Sequence, residues 1–314
     1  MLHSDRNTSS SPLAGRDIEM RVFCIMLGIL AATHWACHAQ SRPSMSAGKL
    51  VNEVVYNELH DHQSHGFWRY WIERNSRVGT QLETQVETAD GPINRLALTD
   101  GFPLTPEAQD QEQARLERLL NSPEEQARHM KQYDEDEERI GRILSLLPDA
   151  FLYEYDGEEN GCYRLQFRPN PDYPARSIES RVFHAMTGTL WVDARFKRLA
   201  RLEGRVDENI DFGFGILGRL YKGGWFRLDR VQVSATDWKT QRLEVHMNIR
   251  ALLVKTFARE TSEVRGGFIP VPAGLSLVQG LSLLNQSGVE VESQFRASSG
   301  GPQIAPTSFA FRPQ

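Results

Sequence analysis

Three histidines fall within six residues in "HDHQSH", as His60, His62 and His65, and they are the densest histidine set in the chain. Neutral imidazoles this close together can ligate zinc or copper, particularly outside the cytoplasm. A catalytic di-metal centre also needs carboxylates, and Ser64 stands where one would be expected. The later His129, His184 and His246 form no recognisable completing set. The spacing therefore makes His60, His62 and His65 candidates for weak metal binding, and a polar helix-to-strand connection explains them as well.

A second candidate is "DFGFGILG", in which Gly213, Gly215 and Gly218 have the G-x-G-x-x-G spacing that cradles a dinucleotide pyrophosphate. That chemistry requires a buried parallel strand before the glycines and a helix after them, whose N-terminal amides face the phosphates. Here "VDENIDF" precedes the glycines and is too polar for such a strand. Only Arg219 to Lys222 separate Gly218 from Gly223-Gly224, too few residues for the helix. The glycines are read as a sheet connection with Phe212, Phe214, Ile216 and Leu217 buried or forming an apolar lip, and no nucleotide or other cofactor is expected.

Cys162 sits in the alternating run "NGCYRLQF" and reads as an ordinary strand position, with no His or Asn placed by motif to activate its thiol. No G-x-S-x-G, P-loop, H-E-x-x-H or kinase signature is present. The sequence assigns no catalytic residue and favours a protein that is not an enzyme. Aromatic residues offer a different chemistry. Trp68, Tyr70, Trp191, Phe214, Trp225 and Phe226 are the candidate wall of a ligand pocket if the strands that carry them curl around a cavity.

Those strands follow from periodicity. Leu50, Val51, Val54, Val55 and Leu59 form one helical stripe between Ser46 and Leu59. "FWRYWIERN" and "TQLETQVET" read as strands, and "DGPINRLALTDGFPLT" as a further strand between two Gly-containing turns. From Thr105 to Pro148 the composition shifts to Glu, Gln, Arg and Leu. Ser122-Pro123-Glu124-Glu125 is a capping box dividing two helices, and Pro148 is expected to stop the second. The run "DEDEE" from Asp134 to Glu138 is its solvated face. Beyond Pro148 the period becomes two: strands flank "DGEENG", a hairpin turns near Arg195 to Arg198, and "GGWFRLDRVQV", "QRLEVHMNI" and "ALLVKTFARETSEV" follow. In "QRLEVHMNI", Leu243, Val245, Met247 and Ile249 alternate with Arg242, Glu244, His246 and Asn248, giving one greasy face and one wet face. Strands this close in sequence pair antiparallel, because a parallel crossover needs a dozen or more residues. "AGLSLVQGLSLLNQ" supplies one more helix.

The expected fold class is therefore α+β: a large curved antiparallel β-sheet, an incomplete barrel, with helices from Ser46 to Leu59, Pro106 to Leu147 and Gly274 to Gln286 covering one face. The domain organisation is a signal peptide over residues 1–39, a single domain over 46–286 with a helical insertion at 105–148, and a Ser, Gly and Pro-rich disordered tail over 287–314.

The leader "VFCIMLGILAATHWACHA" is an apolar run of signal-peptide length, with Ala39 before Gln40 as the expected cut and Met20 as an alternative start. Cys37 lacks the small aliphatic residue that a lipidation motif places three positions upstream. Cleavage leaves Cys162 as the one mature cysteine, so no internal disulfide is available. The mature chain is expected to have no transmembrane span. A net charge of −5, with basic residues spread among acids, gives no reason to expect nucleic acid.

The segments "KLVNEVVYNELHDHQSHGFWRYW", "LPDAFLYEYDG", "LQFRPNP", "RVFHAMTGTLWVDARFKRLARLEGRV" and "FGFGILGRLYKGGWF" resemble an uncharacterised family of secreted bacterial proteins over roughly Ser46 to Asn285. The hairpin "MTGTLWVDARFKRLARLEG" is similar in kind to hairpins of LolA-like lipoprotein carriers and RseB-like sensors, whose fold is an incomplete antiparallel barrel closed by helices over an apolar cavity. That resemblance implies an exported protein, periplasmic or outer-membrane-associated, that binds or carries a hydrophobic ligand such as a lipid or lipoprotein acyl chain. The alternative is a periplasmic sensor or scaffold that presents the charged insertion to a protein partner. The H-x-H spacing at His60 is also similar to the H-x-H-x-D-H of metallo-β-lactamase-like hydrolases, which makes a metal-dependent hydrolase the third reading.

Overall fold

The computed structural model of the chain describes residues 45–60, 66–212, 218–251 and 255–285. Helix α1 (Ala47–Leu59) begins where the Ser46 side chain accepts from the Lys49 N–H, and its apolar stripe turns inward. Strands β1 (Phe67–Ser76), β2 (Gly79–Val86), β3 (Ile93–Thr99) and β4 (Phe102–Pro103) form a meander. Helices α2 (Pro106–Asn121) and α3 (Pro123–Ala150) follow. Then come β5 (Phe151–Glu159), β6 (Cys162–Pro169), α4 (Ile178–His184), β7 (Met186–Asp193) and β8 (Leu199–Val206). Strands β9 (Ile210–Phe212), β10 (Gly218–Leu220), β11 (Trp225–Gln232), β12 (Trp238–Ala251) and β13 (Lys255–Val271) complete the sheet. Residues 277–285 are helical.

The strands join in one 13-stranded antiparallel sheet, ordered β4-β3-β2-β1-β13-β12-β11-β8-β7-β6-β5, with β9 and β10 paired beside β12. The sheet does not close into a barrel, so the fold is the expected α+β class. Its tightest turns have local causes. Asp100-Gly101 and Asn160-Gly161 both adopt positive φ (52° and 79°, 51° and 78°), the conformation of the type I′ hairpin turn. The β5–β6 turn is therefore shorter than "DGEENG": β5 continues to Glu159 through a register shift between Tyr155 and Glu158.

Two helix ends differ from the sequence expectation. Ser122 caps α3 by accepting from the Glu125 N–H, but the reciprocal half of the capping box is missing because the Ser122 N–H already donates to the Arg118 carbonyl of α2. Pro148 does not stop α3, which continues to Ala150. The last carbonyls of that helix are taken up instead: Asn170 donates from Nδ2 to Asp149 (2.8 Å) and from its backbone to Ala150 (2.9 Å), and the Tyr153 hydroxyl donates to Leu147 (2.8 Å). These partners hold the final turn that a proline alone would release.

The core sits between helices and sheet. Leu50, Val51, Val54 and Val55 of α1 pack with Leu165, Leu190, Val192 and Leu199, joined by Leu144 and Leu147 of α3. Leu50, Leu165 and Val192 are at most 1 % exposed, and each such burial contributes about 1.5–3 kcal/mol. At the other end, Leu116 of α2 and Leu277, Leu281 and Leu284 cover Val86 and Ile93. The acidic run of α3 is solvated, as its residues pair along the helix in Lys131–Glu135, Arg139–Asp136 and Arg142–Glu138.

One buried charge cluster fastens α1 to the sheet. Glu58 Oε1 and Oε2 accept from Arg198 at 2.9 and 3.0 Å, Oε1 also accepts from the Leu199 N–H at 3.0 Å, and Arg230 donates to Oε2. Burial pushes the Glu58 carboxyl up, but Arg230 and Arg198 outweigh it and hold the carboxyl below its ordinary range.

Candidate functional site

The register of β5 to β13 stacks polar side chains in rows across the sheet. Glu154 faces Gln166, and the row runs on through Thr189, Glu203, Arg227, Glu244 and Ser262. Beside it run Thr187, Arg205, Trp225, His246 and Glu260 on one side, and Arg164, Trp191, Arg201, Asp229 and Arg242 on the other. Directly opposed residues of an antiparallel pair point to the same face. The intervening positions, including Leu165, Leu190, Leu202 and Leu228, belong to the core. The wet side of the alternation is thus one continuous surface.

That surface holds a cleft of about 1250 Å³, lined from Leu152 and Glu154 on β5 to Glu244 on β12. Its walls are the rings of Trp191 and Trp225 and the stems of Arg168, Arg201, Arg205 and Arg227, tipped by charge. Every one of these arginines has a carboxylate close by: Arg168–Glu154 at 3.6 Å, Arg201–Asp229 at 2.5 Å, Arg205–Asp207 at 2.6 Å and Arg227–Asp229 at 2.8 Å. The Trp191 indole donates to Glu159 Oε2 at 3.0 Å and lies 5.3 Å from the Arg201 guanidinium, so its ring is held from two directions.

Two glycines lie at the middle of the cleft. Gly188 of β7 and Gly204 of β8 are directly opposed, and both line it. The next residues in the row are Phe167 on β6 and Phe226 on β11. A Cβ on Gly188 would collide with the Glu203 carbonyl oxygen and the Phe167 ring, and one on Gly204 with the Phe226 ring. The two rings occupy the space that two side chains would otherwise fill. Strand-interior glycines in "MTGTLW" and "RLEGRV" signal such close approach, and that signal was readable in the sequence.

A smaller pocket of about 330 Å³ adjoins the cleft and shares Trp225 and Glu244 with it. Here the Trp225 ring is stacked on His246 (centroids 6.2 Å, planes 13° apart), His246 Nδ1 lies 3.3 Å from Glu260, and Arg77 donates to the same carboxylate. The Arg77 hydrogen bonds hold the exposed Glu260 carboxyl below its ordinary range.

The residues expected to form a ligand wall are divided. Trp191, Trp225 and Phe226 line the cleft. Trp68 and Tyr70 do not: they are buried with Ile72, Val233 and Phe268 in a separate cluster, where Tyr70 meets Glu87 and Gln85. Phe214 lies outside the described residues. Gly213 and Gly215 of the glycine motif lie outside the described residues; Phe212 pairs with Gly218 and Asp211 with Arg219 between antiparallel β9 and β10, so a strand follows Gly218. Sequence reasoning missed the charged residues around Trp191 and Trp225, because strands distant in sequence bring them together, as with Arg201 and Asp229, 28 residues apart.

The metal candidates are less organised. His60 Nδ1 lies 2.7 Å from the Tyr56 carbonyl with the two rings stacked, while His62 and His65 fall outside the described residues. His129 abuts the turn at Gly91, His184 contacts the Tyr173 carbonyl and His246 faces Glu260. Among the described residues no group of three His, Cys, Asp or Glu could hold a metal ion. Cys162 is half-buried, and burial followed by Asp193 pushes its thiol up, away from thiolate chemistry.

Fold and site together define an α+β protein with an unclosed antiparallel sheet and an amphipathic cleft across its polar face. A DUF1329 family protein from Desulfovibrio piger, known by crystal structure, is loosely similar: 13 % identity over 76 % of this chain and 100 % of that one, with a TM-score of 0.31. MucB, solved in complex with MucA(peri), matches at 9 % identity over 72 % of this chain and 100 % of its own, with a TM-score of 0.20. No family model and no curated protein matches the chain. Among the described residues no helix is long and apolar enough to cross a membrane.

Proposed function

We propose that this is an exported envelope protein that binds, without covalent chemistry, an elongated amphipathic ligand laid across its sheet. The observation that carries the reading is the cleft of about 1250 Å³, which is larger and more charged than an ordinary small-molecule pocket and suits an extended ligand with polar and apolar parts. The helix-covered side supports it by contrast, since Leu50, Leu165, Val192 and Leu284 there are packed to 1 % exposure or less. A bare acyl chain, the ligand expected from the sequence, would bury the charged tips of Arg201, Glu203 and Arg227 against hydrocarbon, which is costly. An amphiphile whose polar part meets those tips fits better. The leader over residues 1–39 supports export to the periplasm or the outer membrane.

Mass spectrometry of extracts from the mature protein purified from membranes tests this, together with tryptophan fluorescence during titration with lysophospholipids and oligosaccharides. A co-purifying molecule, or a shift abolished by Trp191→Ala, is the expected result. No ligand and no shift with any probe would overturn the reading.

A partner surface on the helical insertion is the second reading, favoured by Met130, Tyr133 and Ile140 standing 42 %, 36 % and 53 % exposed on α3. It requires a dominant crosslinked partner that is lost on Ile140→Glu.

A further inference from the structure

The cleft and the smaller pocket are two parts of one track. They share Trp225 and Glu244, and their linings belong to the same polar rows, carried on from β12 to β13 by His246↔Glu260 and Glu244↔Ser262. The track crosses β5, β6, β7, β8, β11, β12, β13 and the end of β1, all neighbours in the sheet. At the usual strand spacing that is a path of about 34 Å. Only a chain-like ligand uses such a path.

Chemistry narrows the class. Polyanions are disfavoured because the four cleft arginines sit among four carboxylates: Glu154, Asp207, Asp229, which Arg201 and Arg227 share, and Glu203, 3.8 Å from Arg227. A peptide recognised through its main chain lies along a free strand edge, whereas the track runs across the strands: β6, β7, β8, β11 and β12 are paired on both sides, and the one free edge it reaches, on β5, is at its end. Hydrocarbon meets charged tips. What remains is a neutral chain that offers C–H faces to aromatic rings and hydroxyls to carboxylates, guanidiniums and amides. The track supplies both halves: Trp191 and Trp225 as platforms, and Gln166, Thr189, Glu203 and Arg227 in a line beside them. We infer that the cleft binds the sugar units of an oligosaccharide or polysaccharide chain. This rests on the reading of the cleft as a ligand site and specifies what fills it.

Calorimetric and fluorescence titration of the purified full-length mature protein with maltohexaose, cellohexaose and chitohexaose tests the inference, with lysophosphatidylcholine as the lipid arm. At least one hexasaccharide is expected to bind, and more tightly than its disaccharide, because the track is long. Trp191→Ala and Trp225→Ala should each weaken it about tenfold, with thermal unfolding of Trp225→Ala unchanged since that ring is 42 % exposed. Whether the acetamido or the plain hexose chain binds distinguishes a cell-wall type of glycan from a storage or capsular type. Binding of the lipid with no response to any hexasaccharide overturns the glycan assignment and leaves the cleft as a ligand site; no response to either overturns both.

Discussion

Gly188 and Gly204 face each other across β7 and β8, and the rings of Phe167 and Phe226 fill the space where their side chains would be. The pair lets the two rings pack against the backbone on the core side of the sheet, directly beneath the middle of the cleft. In Gly188→Ala the new Cβ meets a backbone carbonyl, which cannot swing aside, so overpacking should cost about 1–3 kcal/mol or more. Gly204→Ala meets a ring that has some freedom and should cost less. Urea unfolding of both variants checks the order; equal stability of Gly188→Ala and wild type would refute the close approach.

Glu58 links three elements far apart in sequence, with Arg198 140 residues away. Its removal leaves the buried Arg198 and the half-buried Arg230 without their shared carboxylate, so Glu58→Gln should lose about 3–5 kcal/mol at neutral pH. A carboxylate held below its ordinary value of 4.5 contributes stability that is present above that pH and lost as pH falls through the folded-state value. Wild-type stability should therefore decline below about pH 4.5, in part through Glu58, and the difference between wild type and Glu58→Gln should shrink there. Thermal melts across pH 3–7 report both.

The end of α3 depends on Asn170 rather than on Pro148. Asn170→Ala removes the side-chain hydrogen bond to the Asp149 carbonyl and should cost about 0.5–1.5 kcal/mol, with faster amide exchange confined to the last turn of the helix. Uniform protection in that turn would count against the account.

Ser122 ends one helix with its N–H and starts the next with its hydroxyl. Ser122→Ala keeps the first contact and loses the second, so about 1 kcal/mol of stability should be lost. Ser122→Thr should restore most of it, measured by chemical denaturation.

Zinc content offers a separate check on the histidines. Wild type and His62→Ala, each dialysed against the same zinc buffer, are expected to hold equal metal by elemental analysis. One zinc per chain lost on substitution would reopen the hydrolase reading.

Much of this fold was readable residue by residue. The stripe of α1, the division at Ser122, the presence of a turn between β5 and β6 and the alternation of β12 are local, because a helix or hairpin declares itself within one or two turns of its own period. The ends were less legible: Pro148 looked like a stop because its capping partner, Asn170, lies beyond a whole hairpin.

The sequence by itself determined that strands alternate greasy and wet, that they pair antiparallel, and that the glycines of "DFGFGILG" lack the helix a dinucleotide needs. It could not say which wet residues meet. Trp191 lies opposite Arg201, and Arg201 opposite Asp229, only after three strands take one register, and a slip of a single residue would send each side chain to the other face. Register is set by the core beneath, where Leu165, Leu190, Leu202 and Leu228 align under α1 and α3. The cleft is therefore a property of tertiary pairing: apolar burial on one side of the sheet decides the order of charges and rings on the other.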